Sequence, residues 1–166
     1  MPRLVLGYVD YLGKLYQAGH KNFLIKIFGT IDPNYKKHGD LFWEIYRNGL
    51  MHSYQPKTLE NRDQKISWLT YKDLRANPNL QRHFYCNRTS DLTYDHYHLK
   101  LTHLVPQKLR NSIWIQPISI VCLYGDLILA IERYEHIIAG DSRLEENFRN
   151  TANELLRSVK TTETWW

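Results

Sequence analysis

Cysteine is scarce in this chain: Cys86 and Cys122 are the only two among 166 residues, far apart and in no CxxC or Cys/His cluster. That usage excludes a disulfide framework of the small secreted kind and reads as two free thiols in a reducing cytosol. Glycine is sparse as well, at 8, and no GxGxxG or GxxxxGKS/T loop occurs, which sets aside dinucleotide binding and ATP-driven chemistry. Long hydrophobic runs are missing. The longest apolar stretch, Ile113 to Ile131, is interrupted by Gln116, Pro117, Gly125 and Asp126, whereas a membrane span needs about 20 nearly uninterrupted apolar residues. No secretory leader is expected at the start, where Asp10 and Lys14 come too soon for its apolar region. Neither Cys86 nor Cys122 has the paired His or helix N-terminus that makes a nucleophile. A cytoplasmic protein without membrane or cofactor is expected.

Aromatic residues, by contrast, are abundant: 12 Tyr, 5 Trp and 5 Phe, or 13% of the chain. Such side chains fill a core, build an interface or stack on bases. The formal net charge is +5, a balance that favours a polyanion such as nucleic acid as partner. The length suits a single domain, 1–166, that buries one real core.

Along the chain, Leu4, Val5, Tyr8, Tyr11, Leu12, Leu15 and Tyr16 keep the i, i+3, i+4 rhythm of an amphipathic helix from Pro2 to about Ala18. A second short apolar segment runs from Asn22 to Phe28 and closes at Gly29 and the Asp32-Pro33-Asn34 turn. Asp40 is the expected N-cap of a third helix through His52, which Pro56 terminates. Period-two alternation over Lys65–Tyr71 and Tyr97–Thr102, with β-prone Ser112–Ile115, predicts a β-containing insertion at about 60–115. Pro117 is the expected first residue of a long helix to about Ala139, and Ser142-Arg143-Leu144-Glu145 has the capping-box spacing that opens a last helix. The expected fold class is therefore mainly α: a bundle of four to five helices with a small β insertion between the third and fourth. The terminal pair Trp165-Trp166 is read as docked on the domain or as a partner contact.

The most informative stretch is Arg47-Asn48-Gly49-Leu50-Met51-His52, set on a predicted helix within an aromatic segment. Arg supplies a fork that never deprotonates, suited to phosphoryl oxygens, and a neutral His removes a proton near pH 7. Five residues at roughly 100° each place Arg47 and His52 about 140° apart on an ideal helix, so one helix does not unite them. Two copies across a two-fold axis would, with Gly49 permitting close approach.

This stretch resembles the motif of the HEPN family, small helical bundles in which an Arg and a polar residue are followed by a His after four to six intervening positions. The surrounding Phe42–Lys57 segment, with Pro56 soon after His52, is similar to stand-alone members. The resemblance implies a dimeric, metal-independent endoribonuclease of toxin or defence type. Its products would be 2′,3′-cyclic phosphates, with His52 as general base or acid, Arg47 stabilising the phosphorane and Asn48 positioning. It also implies a nucleotidyltransferase-type antitoxin partner. The alternative is a catalytically silent module that binds a nucleotide or protein through the same residues. A competing site is His96 and His98, on one face of a predicted strand with His103 beyond. His103 is odd-spaced from both, so no third ligand is in register and no metal is expected.

Overall fold

In the computed structural model of the protein, residues 2–16, 19–61, 63–71, 88–94 and 97–160 are described. Helix α1 (Pro2–Leu15) buries Val5, Leu6 and Val9, as its periodicity requires. Helix α2 (His20–Ile27) contributes Phe23, Leu24 and Ile27, and a short 3₁₀ turn, Phe28–Thr30, follows. The third helix starts earlier than the Asp40 boundary expected from the sequence. Its opening, α3 (Asn34–Phe42), is set at the Asp32-Pro33 step, where Asp32 Oδ1 accepts the Asn34 N–H at 2.8 Å. This carboxylate satisfies a free helix-start donor, and Asp40 lies inside the helix rather than at its start. A π-helical segment, Trp43–Arg47, then leads into α4 (Asn48–Ser53).

Strand β1 (Leu59–Asn61) pairs antiparallel with β2 (Gln64–Tyr71). Strands β3 (Thr89–Tyr94) and β4 (Tyr97–Thr102) form a separate two-stranded ribbon. Strands β5 (Gln107–Arg110) and β6 (Ile113–Ser119) complete a four-stranded mixed sheet of order β1-β2-β6-β5, in which β2 and β6 are parallel. Helices α5 (Ile120–Gly140) and α6 (Ser142–Lys160) follow.

The mainly-α bundle with a small β insertion is thereby corrected to an α/β fold. The error lies in the apolar run from Ile113 to Ile131. A continuous apolar run does not reveal its own period, and this one divides at Ser119 into a strand and a helix. Pro117, expected to open the helix, is a buried strand residue paired with Leu69, and its carbonyl accepts the Leu104 N–H at 2.9 Å. Ser119 takes over as cap, its Oγ accepting the Cys122 N–H. Asp141, not Ser142, caps α6, with Oδ1 accepting from Arg143 and Leu144.

Strand and helices share one core. Ile118 and Leu104 lie in it with the helical residues, while Tyr71, Leu101 and Ile115 form a second, smaller cluster. An edge-to-face aromatic chain, Tyr16–Phe23–Phe28–Tyr35–Phe42, runs through the main core with centroids 5.1–6.2 Å apart, so much of the aromatic excess is spent internally. Tyr46 ties helix to sheet, its hydroxyl donating to Gln116 O at 2.7 Å and accepting the Leu69 N–H at 3.2 Å. Both cysteines were expected as free thiols; Cys122 is instead disulfide-bonded, and Cys86, the only other cysteine in the sequence, lies outside the described residues, as do His96, Trp165 and Trp166. Among the described residues no helix is long and apolar enough to cross a membrane.

Candidate functional site

The π segment decides how the Arg-Asn-His stretch is presented. There the Asn48 N–H reaches back to Trp43 O, one residue further than in an α-helix. Such a widened turn is frequent at functional sites. The following chain folds back over the helix, with the Lys57 N–H donating to Ile45 O at 2.7 Å. Gly49 makes this return possible. A Cβ at that position would sit 2.6 Å from Pro56 Cα and closer still to Gln55 O and Lys57 N. The glycine expected at an interface between copies is thus covered by its own chain.

Arg47 turns toward α1. Its Nη2 lies 2.9 Å from Asp10 Oδ2, its Nε 3.3 Å from both carboxylate oxygens, and its guanidinium 5.4 Å from the Trp43 ring centroid. Asn48 Nδ2 donates to Glu44 Oε2 at 2.7 Å. His52 is exposed near the end of α4, which Tyr54 terminates in the left-handed region at φ 60°. Arg47 and Asn48 are each held by a carboxylate on a different neighbour, and neither is directed at His52 by any of these bonds.

Around them lies an aromatic and cationic surface. Arg3 Cζ sits 4.1 Å above the Tyr54 ring, a cation–π contact that leaves Tyr54 71% exposed. On α1, Leu4, Tyr8 and Tyr11 recur at i, i+4, i+7, so they form one stripe, and all three are exposed. Arg3, Asp10 and Lys14 form the adjoining stripe, roughly 100° around the helix and on the side of Arg47.

A second polar cluster is buried. His103, read in the sequence as lying beyond the strand and odd-spaced from His96 and His98, is fully buried at the turn after β4. Its Nδ1 accepts the Ser119 N–H at 3.0 Å, which places the ring proton on Nε2, 3.3 Å from the Tyr35 hydroxyl. Tyr35 donates onward to Asp126 Oδ2 at 3.0 Å. Arg88 forks onto both oxygens of Asp126 at 2.5 and 3.0 Å and reaches Asp32 Oδ2 at 2.7 Å. Burial, with the Arg88 charge added, drives the His103 pKa down to about 3. Burial and then Asp126 push the Tyr35 hydroxyl well up, and burial raises the Asp126 carboxyl against the pull of Arg88. Ring, hydroxyl and carboxylate are closed off from solvent, so this cluster clamps rather than reacts: it joins the start of α3, the ribbon and α5.

Sequence reasoning missed Tyr35, Asp32, Arg88 and Asp126 as a group. Asp126 was the available signal, since a carboxylate on a buried apolar helix requires a partner. Among the described residues no group of three or more His, Cys, Asp or Glu is arranged to hold a metal ion, and His98 is exposed on β4. No known family model, curated protein or solved structure matches the chain.

Proposed function

We propose that the protein binds single-stranded RNA across the face made by α1 and α4, with Arg47, Asn48 and His52 at its centre. One observation carries this reading: Tyr8 and Tyr11 are exposed on α1 one stripe over from Arg3 and Lys14, and Arg3 sits on the exposed ring of Tyr54. Single-strand binding uses that combination, aromatic faces for the bases and cations for the backbone. The net charge of +5 favours a polyanion in the same direction. Holding Arg47 and Asn48 on carboxylates favours recognition over chemistry within one chain.

Cleavage is the second reading, favoured by the exposure of His52. A ring open to solvent is able to meet a ribose 2′-hydroxyl, and a second chain would have to bring it an Arg47.

Fluorescence anisotropy with a labelled single-stranded RNA of about twelve nucleotides tests the proposal. Stacking is worth about 1–3 kcal/mol per base, so Tyr8→Ala and Tyr11→Ala are each expected to weaken binding at least about fivefold. Arg3→Ala should reduce the slope of log affinity against log salt by about 0.7. No binding, or unchanged affinity in all three variants, would overturn it. Incubating the same RNA in EDTA separates the two readings. Cyclic-phosphate products that vanish in His52→Ala would establish cleavage, and intact RNA leaves binding alone.

A further inference from the structure

Away from the RNA-binding face, α1, α5 and α6 enclose a groove of about 590 Å³. Its wall is apolar, built from Leu12, Ile131, Ile138 and Phe148, with Ala139 at the edge. That volume lies within the range of small-molecule sites, which are mostly apolar with a few placed polar groups. Three polar side chains join the lining: Tyr134, Glu135 and Glu145.

Tyr134 is the unusual one. It is 3% exposed, packed edge-on against Tyr16, Phe23 and Phe148, and its hydroxyl is buried with no hydrogen-bond partner among the described residues. Buried hydroxyls are nearly always paired, and an unpaired one calls for an explanation. The two charged residues of the groove are both carboxylates, although the protein is cationic as a whole. Glu145 gives one oxygen to Arg149 at 2.6 Å. Glu135 is exposed and forms no ion pair among the described residues.

We infer that this groove binds a small amphipathic amine. Its apolar body would lie on Leu12, Ile131, Ile138 and Phe148, and its ammonium would face Tyr134, Glu135 and Glu145. An ammonium offers three donors and no acceptor, and a hydroxyl oxygen with two carboxylates supplies the acceptors it needs. The same carboxylates repel an anion of equal shape, so the site is separate in charge logic from the RNA face.

Calorimetric titration with 4-phenylbutylamine and with 4-phenylbutyrate, which share an apolar body and differ in charge, tests this. The amine is expected to bind with a dissociation constant of about 1 mM or tighter and the carboxylate at least about tenfold more weakly. Ala139→Phe, at an exposed position on the groove edge, should abolish amine binding while the melting temperature is kept. Glu135→Gln with Glu145→Gln should erase the preference for the amine. Tyr134→Phe should weaken the amine several-fold while raising the melting temperature, because an unpaired buried group is removed. The inference is overturned if neither probe binds, if both bind equally to the wild type, or if amine binding survives Ala139→Phe. It is equally overturned if the groove is closed by a second copy, seen as a dimer that binds no amine and that Ala139→Phe dissociates.

Discussion

His103 shows how much a single buried side chain sets for this molecule. Its ordinary pKa of 6.5 falls to about 3 in the fold because burial and Arg88 both oppose a charge on the ring. The unfolded chain therefore binds one more proton than the folded chain between those two values, and stability rises with pH across the window. The contribution is complete above pH 6.5 and is lost as pH falls toward 3. At pH 4.5, two units below 6.5, the loss from this residue is about 3 kcal/mol. Denaturant unfolding at pH 7 and 4.5 should show that loss. His103→Asn, which keeps an acceptor for the Ser119 N–H, should lower stability at pH 7 yet flatten the dependence. An equal slope in wild type and variant would count against the assignment. At this scale Arg47, Asn48 and His52 were singled out by residue type and spacing, and the fold holds Arg47 on Asp10 and Asn48 on Glu44. The clamp around His103 was not, because Tyr35, Arg88 and Asp126 are brought together only by the fold, across separations of up to 91 residues.

Among the elements, α1, β2 and β4 were read from the periodicity of their apolar residues, and α6 from that and its capping-box spacing. Boundaries failed where a side chain outside the pattern took the capping role, as Ser119 and Asp141 do. The π segment was invisible because no local pattern announces it; within it Ile45 O accepts the Lys57 N–H, and the chain at Gln55–Lys57 lies against Gly49. Two glycine substitutions separate local from tertiary effects. Gly49→Ala drives a methyl into backbone atoms that have no side chain to move aside, and a loss of about 1–3 kcal/mol is expected. Gly7→Ala meets nothing within 4 Å on α1 and should gain about 1 kcal/mol from helix propensity. Thermal unfolding of the two variants checks both signs, and the reverse order would refute the packing described for Gly49.

For the molecule as a whole, the sheet is what the sequence left obscure. An apolar run that continues from strand into helix hides the change of period, so Pro117–Ser119, the end of β6, was read as helix and an α/β fold as a bundle. The fold distributes its chemistry over three places: an aromatic and cationic face on α1 and α4, a buried clamp around His103, and an apolar groove with two carboxylates on α1, α5 and α6. The central claim is that RNA occupies the first of these. Photocrosslinking of a 4-thiouridine-substituted single-stranded RNA, followed by peptide mapping, tests it most directly. Crosslinks at Tyr8, Tyr11 and Tyr54 are expected, lost on competition with unlabelled RNA and reduced as salt is raised. Crosslinks confined to the β3–β4 ribbon or to α5 and α6, with none on α1 or α4, would contradict the account.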